Sequence, residues 1–185
     1  MKLHKIFLFS VILWNINACT QIQKKHDGPK YFRQIQFSDS PWDTEKGAHP
    51  ITADEAKTIN NYKFSYNENG QLASIEYNRN GVLLDYSSIG AAKITYDYVG
   101  DKQLKNLFNE KNDTIKNGGA TTFEYKLDNA GFRVAMRFLD EKGQPVENRN
   151  KISNYKWAKL PDGMIQEVRF NLAGDSPAPN RFDRI

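Results

Sequence analysis

The chain has 185 residues, a formal net charge of +4, 12% aromatic residues and one cysteine. A lone cysteine excludes an internal disulfide and a thiolate metal cluster, so the fold must be held together by burial. Lysine and arginine are interspersed with aspartate and glutamate without a long basic run, which argues against nucleic acid as the main partner, since that requires a basic stripe.

The first eighteen residues read as an address rather than structure. Lys2 and Lys5 form a basic start, and Ile6 to Trp14 is an apolar run too short to span a bilayer. Ile16, Asn17 and Ala18 then lead into Cys19. These four residues resemble the lipobox of bacterial lipoproteins, with Ile16 in place of the usual leucine and Asn17 in place of the usual small residue. The resemblance implies cleavage before Cys19, acylation of its thiol and new amine, and a membrane partner through those chains. It places the protein in the bacterial cell envelope, at the outer membrane, on the periplasmic or surface side. An ordinary secretory signal with an incidental cysteine is the alternative, and both predict export. Removing Lys2 and Lys5 lowers the net charge from +4 to +2.

Residues 19–30 are expected to be the lipidated cysteine and a polar tether. From Thr20 to Lys30 it would reach roughly 35–40 Å if fully extended. Residues 31–61 form an N-terminal part. Tyr31 to Phe37 alternates as a strand, and residues 38–50 carry Pro41, Gly47 and Pro50 and read as a loop. Trp42 in that loop breaks all periodicity. It is either a plug over a sheet end or an exposed ligand contact. Thr52 and Glu55 fit a capping box, which predicts a short helix over 53–59.

Residues 62–185 repeat four times, with a period near 30 that marks a tandem supersecondary unit. Tyr66, Tyr96, Tyr125 and Trp157 end the first run of each unit, and Tyr77, Phe108, Phe138 and Phe170 end the second. Apolar residues two apart, alternating with polar ones, predict half-buried strands. Phe64, Tyr66, Ile75, Tyr77, Ile94, Tyr96, Phe123, Tyr125, Met136, Phe138, Tyr155, Trp157, Val168 and Phe170 are expected to face a core. Lys63, Glu76, Lys93, Glu124, Arg137, Lys156 and Arg169 are expected to face solvent. Turns fall at Asn69-Gly70, Gly100-Asp101, Ala130-Gly131 and Asp162-Gly163, with second turns at Gly81, Asn112, Gly143 and Gly174. The second unit departs, with Asn106 where the others are aliphatic. The fold class is therefore mainly all-β: an antiparallel hairpin-repeat meander of about eight strands with one short N-terminal helix, forming one domain with 31–61.

Tyr66, Asn67, Gly70, Gln71 and Leu72 resemble the YD repeat of Rhs and related bacterial surface proteins. Asn67 and Gln71 replace the usual aspartate and arginine. Tyr96-Asp97 restores the dipeptide, whereas Trp157 lacks it. The later units are similar to tandem repeats of uncharacterised bacterial lipoproteins. The resemblance covers about two thirds of the chain. It implies a β-repeat architecture, at most a meander or a sheet curled over the N-terminal part, and it carries no catalytic residue.

Catalytic, cofactor-binding and metal sites are all expected to be absent. His26 and His49 stand alone, without a metal-ligand spacing or a nucleophile to serve. Asp128, Asp140, Glu141 and Asp162 fall in turns, where acids usually bond local backbone. The inward aromatics fit a core better than a platform for sugars or peptides. The leading expectation is a non-enzymatic, lipid-anchored β-repeat protein that binds a partner protein, a glycan or another envelope component. The alternatives are an envelope hydrolase using paired carboxylates and an immunity or accessory protein of an Rhs-like toxin system. The repeat spacing would place the next aromatic near position 187, beyond Ile185, which leads to the expectation of an uncovered last edge.

Overall fold

A computed structural model describes residues 28–36, 38, 40–85, 87–176 and 180–182. Alternation of apolar and polar residues drives the chain into antiparallel strands, because each strand can bury only one face. The strands are β1 (Lys30–Ile35), β2 (Gly47–Ile51), β3 (Asn61–Tyr66), β4 (Leu72–Arg79), β5 (Val82–Leu83), β6 (Lys93–Val99), β7 (Lys102–Phe108), β8 (Thr122–Leu127), β9 (Arg133–Leu139), β10 (Asn154–Lys159), β11 (Ile165–Phe170) and β12 (Asn180–Phe182). They form one mainly antiparallel sheet in the order β12-β11-β10-β9-β8-β7-β6-β4-β3-β1-β2, with β5 paired to β4 off this path. The four expected hairpins are β3–β4, β6–β7, β8–β9 and β10–β11.

Outside the hairpins the structure corrects the sequence reading in three places. Residues 47–50, expected in a loop, belong to β2 on the outer side of β1, with Pro50 opposite Phe32. Proline is tolerated there because β2 is an edge strand. The helix, α1, is shorter than expected and spans Glu55–Thr58. Its box is nevertheless formed: the Thr52 amide donates to Glu55 Oε2 at 2.8 Å, and the Glu55 amide donates to Thr52 Oγ1 at 3.2 Å. Finally, β12 pairs with β11 at Ile165, Gln166 and Glu167, so residues 180–182 cover part of the edge expected to stand open.

The turns share a mechanism that glycine alone does not reveal. Asn67, Asn109, Asp128, Asp140 and Asn148 each accept, through one side-chain oxygen, the amides two and four residues on. The fourth residue of each turn takes a left-handed φ: Gly70, Asn112, Gly131, Gly143 and Lys151. This is an Asx turn closing a five-residue hairpin loop. The turn acids Asp128 and Asp140 are thus occupied by backbone, as their placement suggested.

One face of the sheet carries the core. Phe64, Ile75, Ile94, Tyr125 and Met136 are at most 2% exposed. Burying each such side chain contributes about 1.5–3 kcal/mol. Phe123, Phe138, Tyr155 and Trp157 continue the face as a ladder of rings, with centroids 5.3, 6.1 and 5.6 Å apart. Tyr66 and Tyr77 are half-buried rather than buried. Of the seven residues expected in solvent, Lys156 and Arg137 are exposed and the other five are half-buried; Lys63, Glu76 and Glu124 are so because they pair across strands on the charged face.

Two strands run in the opposite phase to the repeat alignment. In β11, Trp157 lies opposite Glu167 and Tyr155 opposite Arg169, so these charges share the core face and Val168 and Phe170 turn outward. In β7, Leu107 lies opposite Ile94 and Lys105 opposite Tyr96, so Leu107 enters the core and Phe108 turns outward. A one-residue slip exchanges the two faces of a strand. The core face of β7 and β11 is therefore partly polar.

The sheet is curled. Eight strand spacings separate β1 from β11, roughly 38 Å if the sheet were flat. The chain from Ile35 at the end of β1 to Ser40 can extend at most about 18 Å. Ser40 Oγ nevertheless donates to Glu167 Oε2 on β11 at 2.7 Å. The two regions meet only if the sheet bends around the connection between β1 and β2.

Candidate functional site

The β1–β2 connection lies inside the curl as a clasp. Its carbonyls and acids meet the polar residues that β7, β9 and β11 direct to the core face. At one end Glu167, 1% exposed, accepts from Ser40 Oγ, from Trp157 Nε1 at 2.8 Å and from Arg169 Nε at 2.8 Å. A buried carboxylate is tolerated only when so engaged.

Arg133 holds the middle. A bulge in the β8–β9 pairing sets it on the core face: Leu127 pairs with Arg133 and Lys126 with Ala135, so Val134 has no partner and the alternation reverses. The Arg133 guanidinium stacks 3.7 Å above the Tyr125 ring. Its Nη1 donates to the carbonyls of Pro41 at 3.0 Å and Asp43 at 2.5 Å. Nε and Nη2 donate to Gln103 Oε1 at 3.0 and 2.8 Å. A planar fork with five donors suits this task in a way that lysine would not.

Glu45 anchors the third point. It pairs with Lys105 Nζ, accepts from the Tyr96 hydroxyl at 2.5 Å and lies 3.7 Å from Arg133 Nη2. Burial alone would raise its pKa, but the Lys105 and Arg133 charges overcome that and hold it down to about 2. Tyr96 is pushed well above its ordinary value, first by burial and then by the Glu45 charge.

The clasp leaves a cleft of about 530 Å³ beside it. Phe123, Tyr125, Met136, Phe138, Ile35 and Ile89 supply its apolar lining, and Ser38, Asp43, Glu45 and Lys105 its polar lining. A second hollow of about 460 Å³ is lined by Phe64, Tyr66, Leu72 and Tyr98, and Glu45 borders both. A mostly apolar lining with a few polar groups is the usual build of a small-ligand site.

Trp42 is half-buried and packs against the core. Cys19 and His26 lie outside the described residues. His49 is exposed in β2 with φ 57°. Among the described residues no group of three or more metal-ligating side chains forms. Sequence reading missed Ser40, Glu45, Gln103, Lys105, Arg133 and Glu167. The repeat gave no signal for Lys105 and Glu167, which align with Ser74 and Ala135 at the position expected to face solvent.

No family model matches the chain, nor does any curated protein or solved structure.

Proposed function

We propose that this chain is an exported, lipid-anchored β-repeat protein that binds a glycan or peptide component of the envelope without catalysing a reaction. The observation that carries the reading is the state of the concave face. Its acid Glu45 is held at about 2 by Lys105 and Arg133, whereas a general acid working near neutral pH needs its pKa raised. Glu167 is engaged by three donors. The acids there serve the clasp, and the cleft beside them offers an apolar, shaped surface rather than a proton relay. The lipid anchor rests on the resemblance of Ile16 to Cys19 to a lipobox, and its energetic logic is that two acyl signals anchor stably where the lysines at 24 and 25 alone would not.

Photo-crosslinking in intact envelopes tests the binding reading. A photoreactive phenylalanine analogue at Ile89, in the cleft lining, should give a discrete adduct, and the same analogue at exposed Lys111 should not. Turnover of an envelope polymer that is lost in a folded Glu167→Gln variant would instead establish a hydrolase. For the anchor, Cys19→Ala should move the protein from the membrane to the soluble fraction. Sedimentation of that variant with membranes after a salt wash would refute lipid anchoring.

A further inference from the structure

The opposite face of the sheet carries a second depression, of about 540 Å³. Its origin is a single cross-strand row. Lys102 on β7 lies opposite Lys126 on β8, Lys126 opposite Ala135 on β9, and Ala135 opposite Lys156 on β10. Neighbouring strands are roughly 4.8 Å apart. The small Ala135 between two long lysines makes the hollow, and the lysine stems wall it.

The charge of this row is not balanced from within. Glu124 is shared between Lys102 Nζ at 3.1 Å and Arg137 Nε at 2.6 Å. Asp101 reaches Lys126 only at 3.8 Å, with both side chains more than half exposed. Lys156 lies over the Phe170 ring, 5.2 Å from its centroid, and has no carboxylate partner among the described residues. Four lining cations, Lys102, Lys126, Arg137 and Lys156, thus face two lining acids, Asp101 and Glu124, an excess of +2 along the row; two further acids, Glu147 on the Leu172 amide and Asp175 on Asn171, stand at the Leu172 end. Lys102 directly opposite Lys126 is a like-charge pair, which costs stability in an antiparallel sheet.

The rim is apolar at one end, where Pro145 and the 56% exposed Leu172 border the hollow. The asparagines 154 and 171 line it beside them. The geometry points to an acidic peptide segment as the occupant: carboxylates over the lysine row, an apolar side chain over Ala135 against Leu172, and backbone amide groups met by Asn154, since Asn171 already bonds Asp175 through both its oxygen and its nitrogen. A bare phosphate would leave the apolar rim unused. It would also find the one guanidinium already donating Nε to Glu124, so the fork geometry that favours phosphate is partly spent. This site lies on the face away from the cleft and stands independently of what the cleft binds.

The test is fluorescence anisotropy with a labelled hexapeptide alternating glutamate and leucine. The proposal expects saturable binding that weakens as salt is raised. Lys156→Glu and Lys126→Glu should each weaken it roughly tenfold. Ala135→Glu should abolish binding, because the new carboxylate fills the hollow and pairs with the lysines on either side. All three substitutions are on the solvent-facing side of the sheet, and unchanged thermal melts would confirm that folding is intact. Lys111→Glu, in a distant turn, should bind as the parent does. A peptide alternating glutamate and serine should bind more weakly than the leucine peptide. No binding of the leucine peptide, or binding unaffected by Ala135→Glu, would overturn the proposal. Equal or tighter binding of inorganic polyphosphate or of phosphatidylglycerol vesicles would also overturn it, in favour of a general anion site or a membrane contact.

Discussion

Substituting Glu45 by glutamine tests whether the clasp holds the curl. The variant keeps the shape of the side chain and removes its charge. The Glu45 side chain is 14% exposed, and its partners Lys105 and Arg133 are 15% and 2% exposed. Arg133 would retain only neutral acceptors, the Pro41 and Asp43 carbonyls and Gln103. Breaking a buried pair on one side typically costs about 3–5 kcal/mol. The lowered pKa of Glu45, which comes from the same Lys105 and Arg133 contacts, leads to a similar figure. A carboxyl held at about 2 in the fold against an ordinary 4.5 contributes about 3 kcal/mol at neutral pH. Because the folded value is the lower one, this stability is fully present above pH 4.5 and is lost as pH falls towards 2. Urea unfolding at pH 7 should therefore show Glu45→Gln less stable by about 3 kcal/mol. The difference from the parent should shrink steadily below pH 4.5, since a protonated glutamate resembles glutamine. A loss smaller than about 0.5 kcal/mol at pH 7 would place the variant among ordinary surface changes and refute the reasoning. So would a loss that is the same at pH 7 and pH 2.5.

Three further outcomes follow from the geometry. Gly47→Ala would set a Cβ 2.2 Å from the Phe32 ring, which itself packs edge-on against Phe64 at 5.0 Å, so β2 must shift and thermal unfolding should show a loss of about 1–3 kcal/mol. Lys151→Gly relieves a left-handed φ of 58° and should raise stability by up to about 1 kcal/mol in urea titrations, the greater freedom of glycine in the unfolded chain offsetting part of the gain. Trp157→Phe keeps the ring stacked on Tyr155 but removes the indole donor to Glu167; the expected loss by the same titration is about 1.5–3 kcal/mol, and the double variant with Ser40→Ala should lose more than the two single losses added, because it leaves Glu167 Oε2 without either of its donors.

By itself the sequence determined the four hairpins and the class of the fold. Alternation and turn chemistry are local: Phe64 and Tyr62 take the same side of β3 whatever else the chain does, and an Asx residue closes its turn with backbone only four residues away. The helix box between Thr52 and Glu55 was legible for the same reason. The faces of β7 and β11 were not. Hydrophobicity alone turns Val168 and Phe170 inward, yet the structure buries Glu167 on that side. Its donors are Ser40, 127 positions away, Trp157 across the hairpin and Arg169 on the same strand. Lys105 faces in because Glu45, 60 positions away, meets it there. Arg133 does so because a bulge reverses the phase of β9 beside Tyr125. A charge can occupy a core face only when its counter-charge or donors arrive from elsewhere. Those arrivals depend on the curl of the sheet around residues 36–46, and so tertiary structure alone decided the clasp, the cleft beside it and the lysine row left on the other face.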